Sequence, residues 1–301
     1  MIELPAAVHA MAGRGPQWQM WVDQLPKLVQ RQVADWALVL DGAPMNGHAS
    51  LVVPVRTADG TKAVLKLACP DPDGGGETQH EHLALRRWGG DGAVRLLSAD
   101  PHRQTLLLER LHSRDLNELW DVEACEIVAA LYARLHVPAL PQVRRLADTV
   151  ARDSERLEAL ARSAPIPRRL VEQALTLGRD LIADGSVDDR LLHADLHYDN
   201  VLAGDRAPWL VIDPQPANGD PHYEVAPLLW NRWDELAGDV REGVRRRFYA
   251  VVEAAGFAED RARAWVVVRM VHNAMWELTD PGPVDHDWLT TCIAVAKAVQ
   301  G

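Results

Sequence analysis

Cysteine is scarce in this chain of 301 residues: the three present, Cys69, Cys125 and Cys292, form no Cys-x-x-Cys pair and no zinc-like spacing. This argues against a disulfide framework or a thiolate metal site and fits thiols used as small apolar residues in a reducing compartment. Long apolar runs are missing as well; none approaches the ~20 residues that cross a bilayer. Met1-Ile-Glu-Leu-Pro5 has no basic segment followed by an apolar stretch, as a signal peptide would. A cytoplasmic chain without a membrane partner is expected. No dense Lys/Arg run occurs and the formal net charge is −11, which speaks against nucleic acid as a partner. The acidity suits a cationic ligand, and it suits an ordinary acidic cytosolic protein equally well. There is no internal repeat and no low-complexity tract.

With 48% hydrophobic residues, the chain is long enough for two lobes, each with its own core. Residues 17–34 carry an apolar stripe at helical spacing, interrupted by Pro26. A β-rich stretch follows: 36–40, 51–56 and 62–67, with turn signals at Asp41-Gly42 and Asp59-Gly60. After the loop Pro70–Gly76 come a helix over about 77–88 and strands at 94–97 and 105–109. From Asp115 the pattern turns helical, at about 115–135, 144–162, 167–184, 221–235, 240–255, 260–279 and 286–299. Two short apolar runs within 201–212, flanking Gly204-Asp205, are the one β interruption. The reading is α+β: a small β-rich lobe over 1–111 with an N-terminal helical segment, then a larger helical lobe over 112–301.

The stretch Leu191-Leu-His-Ala-Asp-Leu-His-Tyr-Asp-Asn200 carries the chemistry. It gives His193-x-Asp195, then Asn200 five residues after the aspartate. Thirteen residues further on, Asp213 ends the apolar run Trp209-Leu-Val-Ile. One base and two oxygen ligands at such offsets are what phosphoryl transfer from ATP requires. Asp195 is the candidate base, which accepts an alcohol's proton and aligns its oxygen. Asn200 offers a neutral oxygen and Asp213 a charged one, a set that suits Mg²⁺. His193 and His197 lie four apart, but they bracket an aspartate in a loop-like segment, not a glutamate within a helix, so zinc fits poorly. His193 is expected to brace the loop. His197 either faces the substrate or is a partly exposed loop residue.

Lys66 interrupts the apolar strand Ala63-Val-Leu-Lys-Leu67. A buried ammonium requires anions, and ATP phosphates with a helix glutamate supply them; Glu81 is the preferred partner and Glu77 the fallback. Gly42-Ala-Pro-Met-Asn-Gly47 has the glycine spacing of a phosphate-binding loop, but His48 and Ala49 replace its Lys and Ser/Thr. A strand follows where a helix is required. A flexible cover over phosphates and a plain hairpin turn both remain open. In Leu106-Leu-Leu-Glu-Arg-Leu111, Glu109 and Leu111 are candidates for reading adenine through their backbone, and core packing explains their side chains equally well.

Trp230, Trp233 and Trp276 fall in the helical lobe beside Asp220, Asp234 and Glu277. Buried tryptophans are mostly core, but sugars also bind on aromatic faces. Asp195, His197, Gln215, Asp220, Asn231, Trp276 and Glu277 are the candidate acceptor contacts. Glu224 reads as an acid that tethers a loop.

His193-x-Asp195-x4-Asn200 with Ile212-Asp213-Pro214 resembles the aminoglycoside phosphotransferase-like kinases. Ala63–Leu67, Leu85–Leu97 and Leu107–Leu111 are similar to the streptomycin/hydroxyurea branch, which itself resembles actinobacterial glucosamine kinases. The resemblance spans about residues 35–235. It implies a bilobal protein-kinase-like fold and Asp195 as base. It also implies Asn200 and Asp213 on Mg²⁺, and Lys66 with Glu81 on the phosphates of ATP. Many relatives have a Lys shortly after the metal aspartate and an Asp where Glu224 stands; this chain has Gln215 and Glu224.

The expected reaction is γ-phosphate transfer from ATP to an amino-sugar hydroxyl, with glucosamine phosphorylated at O6 preferred. Few acids lie in 261–301, where a multiply cationic antibiotic would meet several. A streptomycin 6-phosphotransferase is the alternative, and a catalytically inactive binding module is the alternative of another class. The chain is expected to act as a monomer or weak homodimer.

Overall fold

The computed structural model describes residues 2–69, 80–280 and 282–300. The expected loop 70–76, Glu77 and the first turn of the helix expected from there lie outside them. The chain divides into two compact units, Met1–Ser113 with Ala203–Asp213, and Arg114–Leu202 with Pro214–Gly301. The first unit is therefore discontinuous, since residues 203–213 return to it.

In the first unit α1 (Ala6–Met11) and α2 (Pro16–Asp35) precede the strands β1 (Val39–Leu40), β2 (Met45–Asn46), β3 (Ser50–Arg56) and β4 (Lys62–Ala68). The helix α3 (Glu81–Trp88) and the strands β5 (Leu96–Asp100) and β6 (Thr105–Glu109) complete it. The strands β1 to β6 join one antiparallel sheet in the order β1-β3-β4-β6-β5, with β2 also on β3. Alternation decides its faces. Leu51, Val53 and Val55 of β3 and Ala63, Leu65 and Leu67 of β4 share one buried cluster with Trp21, Val22, Leu25 and Val29 of α2. Lys66 has the opposite parity and so leaves that cluster. Asp59-Gly60 turns β3 into β4 as expected, with Thr57 N–H donating to the Thr61 carbonyl at 3.0 Å.

Several expectations shift. The helix α2 continues through Pro26. The expected strand 36–40 shrinks to Val39–Leu40, because Ala37 takes a left-handed φ of 52°. The expected strand 94–97 moves to Leu96–Asp100.

The second unit contains α4 (Asp121–Leu135), α5 (Leu146–Ala159), α6 (Arg168–Ile182), α7 (Pro227–Trp230), α8 (Val240–Ala255), α9 (Glu259–Thr279) and α10 (His286–Ala298). A two-stranded antiparallel ladder pairs Arg190–Leu192 with Ala217–Gly219. Gly219 packs closely there: a Cβ would lie 2.6 Å from Leu192 Cδ1 and 2.9 Å from Leu146 Cδ2, so those side chains would have to shift. The expected helix 221–235 is broken into a 3-10 turn at Pro221–Val225, α7, and a second turn at Trp233–Leu236. Arg232 has φ 56°, and the buried Arg247 takes the carbonyls of Asn231 (2.6 Å) and Arg232 (3.2 Å), which a continuous helix would use itself. Among the described residues, no helix is long and apolar enough to cross a membrane.

Candidate active site

In the first unit β4 presents Lys66 and α3 presents Glu81 from its first turn. Lys66 Nζ donates to both Glu81 oxygens, at 2.8 and 2.7 Å, and to Asp213 Oδ1. Lys66 and Glu81 are buried, while the Asp213 side chain is 36% exposed. Burial by itself lowers the lysine's pKa; the carboxylates of Asp213 and Glu81 outweigh it and hold the ammonium charged. Burial pushes the Glu81 carboxyl up to about 7, against the pull of Lys66. Asp213 sits at φ 56°, a left-handed position that turns the chain at the strand end. With all three groups ionised, the cluster carries two negative charges against one positive.

Glu109 N–H donates to the Arg95 carbonyl at 3.0 Å. Its side chain is held by Arg206 Nε, at 2.9 and 3.0 Å, and by the Arg95 N–H. Glu109 therefore does not offer its N–H to a base. Leu111 N–H makes no hydrogen bond among the described residues. Gly47-His48-Ala49 links β2 to β3, with Gly47 N–H on the Ser50 carbonyl at 2.9 Å, so a strand does follow this glycine-bearing segment.

In the second unit the ladder carries Leu191-Leu192 to the edge of the motif, and the chain then leaves regular structure. His193 is fully buried; its Nδ1 accepts from Asp195 N–H (3.3 Å) and its carbonyl accepts from Gln215 N–H (2.9 Å). It braces the loop. Asp195 is half-buried, and Gln215 Nε2 donates to its Oδ2 at 3.1 Å. Gln215 thus touches the candidate base itself. His197 lies with Nε2 3.9 Å from Asp195 Oδ2 and Nδ1 3.1 Å from Asp199 Oδ2. Asn200 Nδ2 donates to the Asp195 carbonyl at 2.8 Å and lies 3.2 Å from His197 Nε2. With its nitrogen engaged there, the amide keeps its oxygen as an acceptor, which fits an oxygen-seeking cation. The carboxylate of Asp213 is the other donor of that kind.

The remaining candidates divide. Asp220 is buried and spent internally, accepting from Trp265 Nε1 (2.7 Å), His222 Nδ1 (2.6 Å), His222 N–H (3.0 Å) and Arg261 Nε. Burial works against its charge, but these donors hold the carboxyl down at about 2. It anchors the fold and has no capacity left for an acceptor. Asn231 caps α7, its Nδ2 on the Pro227 carbonyl at 2.9 Å. Glu277 Oε1 accepts from Asp285 N–H at 2.6 Å, which leaves Oε2 for other partners. Trp276 is half-buried beside Asp153, a buried acid whose pKa is raised by burial. Asp195, His197, Asn200 and Gln215 are brought together; Asp220, Asn231, Trp276 and Glu277 make no hydrogen bond to them.

Two buried side chains, Glu224 and Arg269, support this loop. Ala194 adopts φ 65°, and its N–H donates to Glu224 Oε1 at 2.6 Å. His136 Nε2 meets the other Glu224 oxygen at 2.7 Å. Burial opposes the Glu224 charge, but His136, His193 and the Ala194 N–H keep its pKa below the ordinary value. On the other side Arg269 Nη2 donates to the Ala194 carbonyl at 2.6 Å. The tether expected of Glu224 is present; the Arg269 contact was not foreseen. Its signal was in the sequence, as a lone cation in Trp265-Val-Val-Val-Arg269-Met-Val, the same kind of interruption that singles out Lys66.

A sheet unit bearing a lysine–glutamate pair and a helical unit bearing a His-x-Asp-x4-Asn loop define the protein-kinase-like fold, in its small-molecule phosphotransferase form. The chain belongs to the aminoglycoside/hydroxyurea antibiotic resistance kinase family, whose model matches residues 35–281. It is 41% identical to a streptomycin 6-kinase of Streptomyces glaucescens, over 100% of this chain and 98% of that protein. It is 40% identical to a hydroxyurea phosphotransferase of Kitasatospora aureofaciens, over 93% of this chain and 82% of the relative. Among solved structures, the aminoglycoside phosphotransferase APH(4)-Ia aligns with a TM-score of 0.62 at 16% identity, covering 92% of this chain and 100% of that one. The choline kinase LicA of Streptococcus pneumoniae aligns at 0.61 and 13%, covering 92% and 99%. At those identities the likeness concerns the fold.

Proposed function

We propose that this kinase transfers the γ-phosphate of ATP to a hydroxyl of an aminoglycoside, streptomycin at its 6-position being the leading candidate. The observation that carries the reaction is the Asp195 carboxylate. One of its oxygens is engaged by Gln215, and the peptide before it is fixed on both sides. That suits a base that must meet an alcohol proton in one orientation. Lys66, held charged, takes ATP phosphates; Asn200 and Asp213 are assigned Mg²⁺, which neutralises phosphate charge when bound. Leu111 N–H remains a candidate for adenine. Use of ATP keeps the expectation of a cytoplasmic site of action.

The named relatives favour streptomycin over glucosamine as acceptor. The scarcity of acids counted over 261–301 also omitted Asp153, which α5 supplies next to Trp276. The test is ATP consumption with streptomycin, hydroxyurea and glucosamine as separate acceptors. Turnover with streptomycin at a kcat/KM well above the other two is expected. Preference for glucosamine would restore that reading, and no consumption with any acceptor would leave a binding module. Asp195→Ala is expected to lower kcat by about 10²–10⁴ while ATP still binds. Unchanged turnover would remove Asp195 from its role.

A further inference from the structure

Arg269 is a buried cation of α9 that bonds the backbone beside the candidate base and lies against two aromatic rings. Its Nη2 holds the Ala194 carbonyl at 2.6 Å, the oxygen of the peptide that leads into Asp195. Its Nη1 reaches the Tyr223 carbonyl at 3.2 Å. The guanidinium lies 4.3 Å from the Tyr223 ring centroid and 5.0 Å from that of Trp230. Trp230 in turn meets Trp288 edge to face, at 5.8 Å and 80°. Arg269 is buried, whereas Trp230 and Trp288 are half-buried, so the chain of contacts runs from a wettable aromatic pair to the backbone of the base.

We propose that Arg269 is a positioning residue that couples occupancy of the Trp230–Trp288 pair to the placement of Asp195, and that this pair is the wall on which a sugar ring of the acceptor packs. The inference rests on the phosphotransferase reading above. A guanidinium has five donors in a fixed plane, so one group grips a carbonyl and lies flat against an indole at once. Its attraction to the ring strengthens as water leaves the site. An acceptor seated against Trp230 removes that water. Arg269 is then held more tightly at Ala194, whose left-handed backbone has no other carbonyl partner among the described residues.

Wild type, Arg269→Lys, Trp230→Leu and the double variant are compared in steady-state kinetics with ATP and streptomycin. Lysine keeps the charge and one hydrogen bond but loses the plane. Arg269→Lys is expected to lower kcat by about 10²-fold, with KM for ATP unchanged. Trp230→Leu raises KM for the acceptor and lowers kcat. In the Arg269→Lys background, Trp230→Leu still raises that KM but lowers kcat no further. Equal kcat losses in both backgrounds, or a folded Arg269→Lys with wild-type kcat, would overturn the coupling. A residue that only supports the fold would raise both KM values and lower the melting temperature in step with activity. Should Arg269→Lys fail to fold, Trp230→Leu decides alone, and a normal kcat in it overturns the proposal. A wild type that consumes ATP with no acceptor sinks the functional reading and this inference together. A wild type that turns over beside an equally fast Arg269→Lys sinks the inference only.

Discussion

The two units each bury a charged cluster, and the clusters are built for opposite ends. Around Lys66 the partners are side chains, Glu81 and a partly exposed Asp213. Around Ala194 buried charge also meets the backbone, at an N–H for Glu224, whose other oxygen is on His136, and at a carbonyl for Arg269. The first cluster can exchange partners: all three Lys66 donors are engaged, two on Glu81 and one on Asp213, so a phosphate can enter by displacing the exposed carboxylate. The second cluster has no such slack. On the proposed function, ligand chemistry falls to charge that can be traded, and precision to charge that cannot.

Lys66→Met breaks the first cluster and has the largest expected effect on stability. It leaves Glu81 buried without its cation, which costs roughly 3–5 kcal/mol in urea unfolding. Adding Glu81→Leu should recover most of that loss, because a well-packed apolar pair replaces a buried ion pair at little cost. Activity should stay lost in both. If the double variant regains turnover, Lys66 is structural and its assignment to phosphates is wrong.

α9 sharpens the comparison within one helix. Arg269 is buried with both terminal nitrogens hydrogen-bonded; His272, three residues on, is buried with Nε2 unpaired, and burial pushes its pKa down to about 4. The folded histidine binds its proton only below that value, whereas the unfolded one does so near 6.5. The unfolded state therefore holds more protons in this window, and stability falls as pH drops from about 6.5 through 4. The loss approaches roughly 3–4 kcal/mol, at about 1.4 per pH unit. His272→Leu should flatten this part of a melting-temperature profile. An unchanged slope would place the acid sensitivity elsewhere.

Glu224→Ala unpairs the Ala194 N–H and His136 together. A loss of about 1–3 kcal/mol is expected, with kcat reduced and ATP affinity kept. If ATP affinity falls as far as kcat does, Glu224 supports the whole unit and not the loop alone.

The strands β3, β4 and β6 and the helices α8 and α10 were readable within a residue or two, because alternation or helical period matches their burial. The segment 221–236 was not: its composition is helical, and what breaks it is Arg247, which arrives from α8 to take two carbonyls. Asp220 misled for a related reason. An acid beside aromatics suggests a sugar site, yet Trp265, Arg261 and His222 reach it from distant sequence positions and consume it. Lys66 was legible as a cation in an apolar strand. Arg269 was legible by the same rule, but its partner is a backbone carbonyl, which leaves no mark in composition.

Ala194→Gly is the smallest and most discriminating test of the second cluster. Alanine at φ 65° bears a left-handed penalty of roughly 1–2 kcal/mol, which glycine relieves. Glycine also gives the unfolded chain more freedom, at a cost of roughly 0.5–1 kcal/mol. The two nearly cancel, so the midpoint of unfolding should move little. If Glu224 and Arg269 fix the peptide, kcat should also hold, because both of its hydrogen bonds survive the change. A clear fall in kcat at unchanged stability would mean that the methyl group, packed at 3% exposure, shares in holding the carbonyl. The placement of Asp195 would then belong to packing as much as to charge.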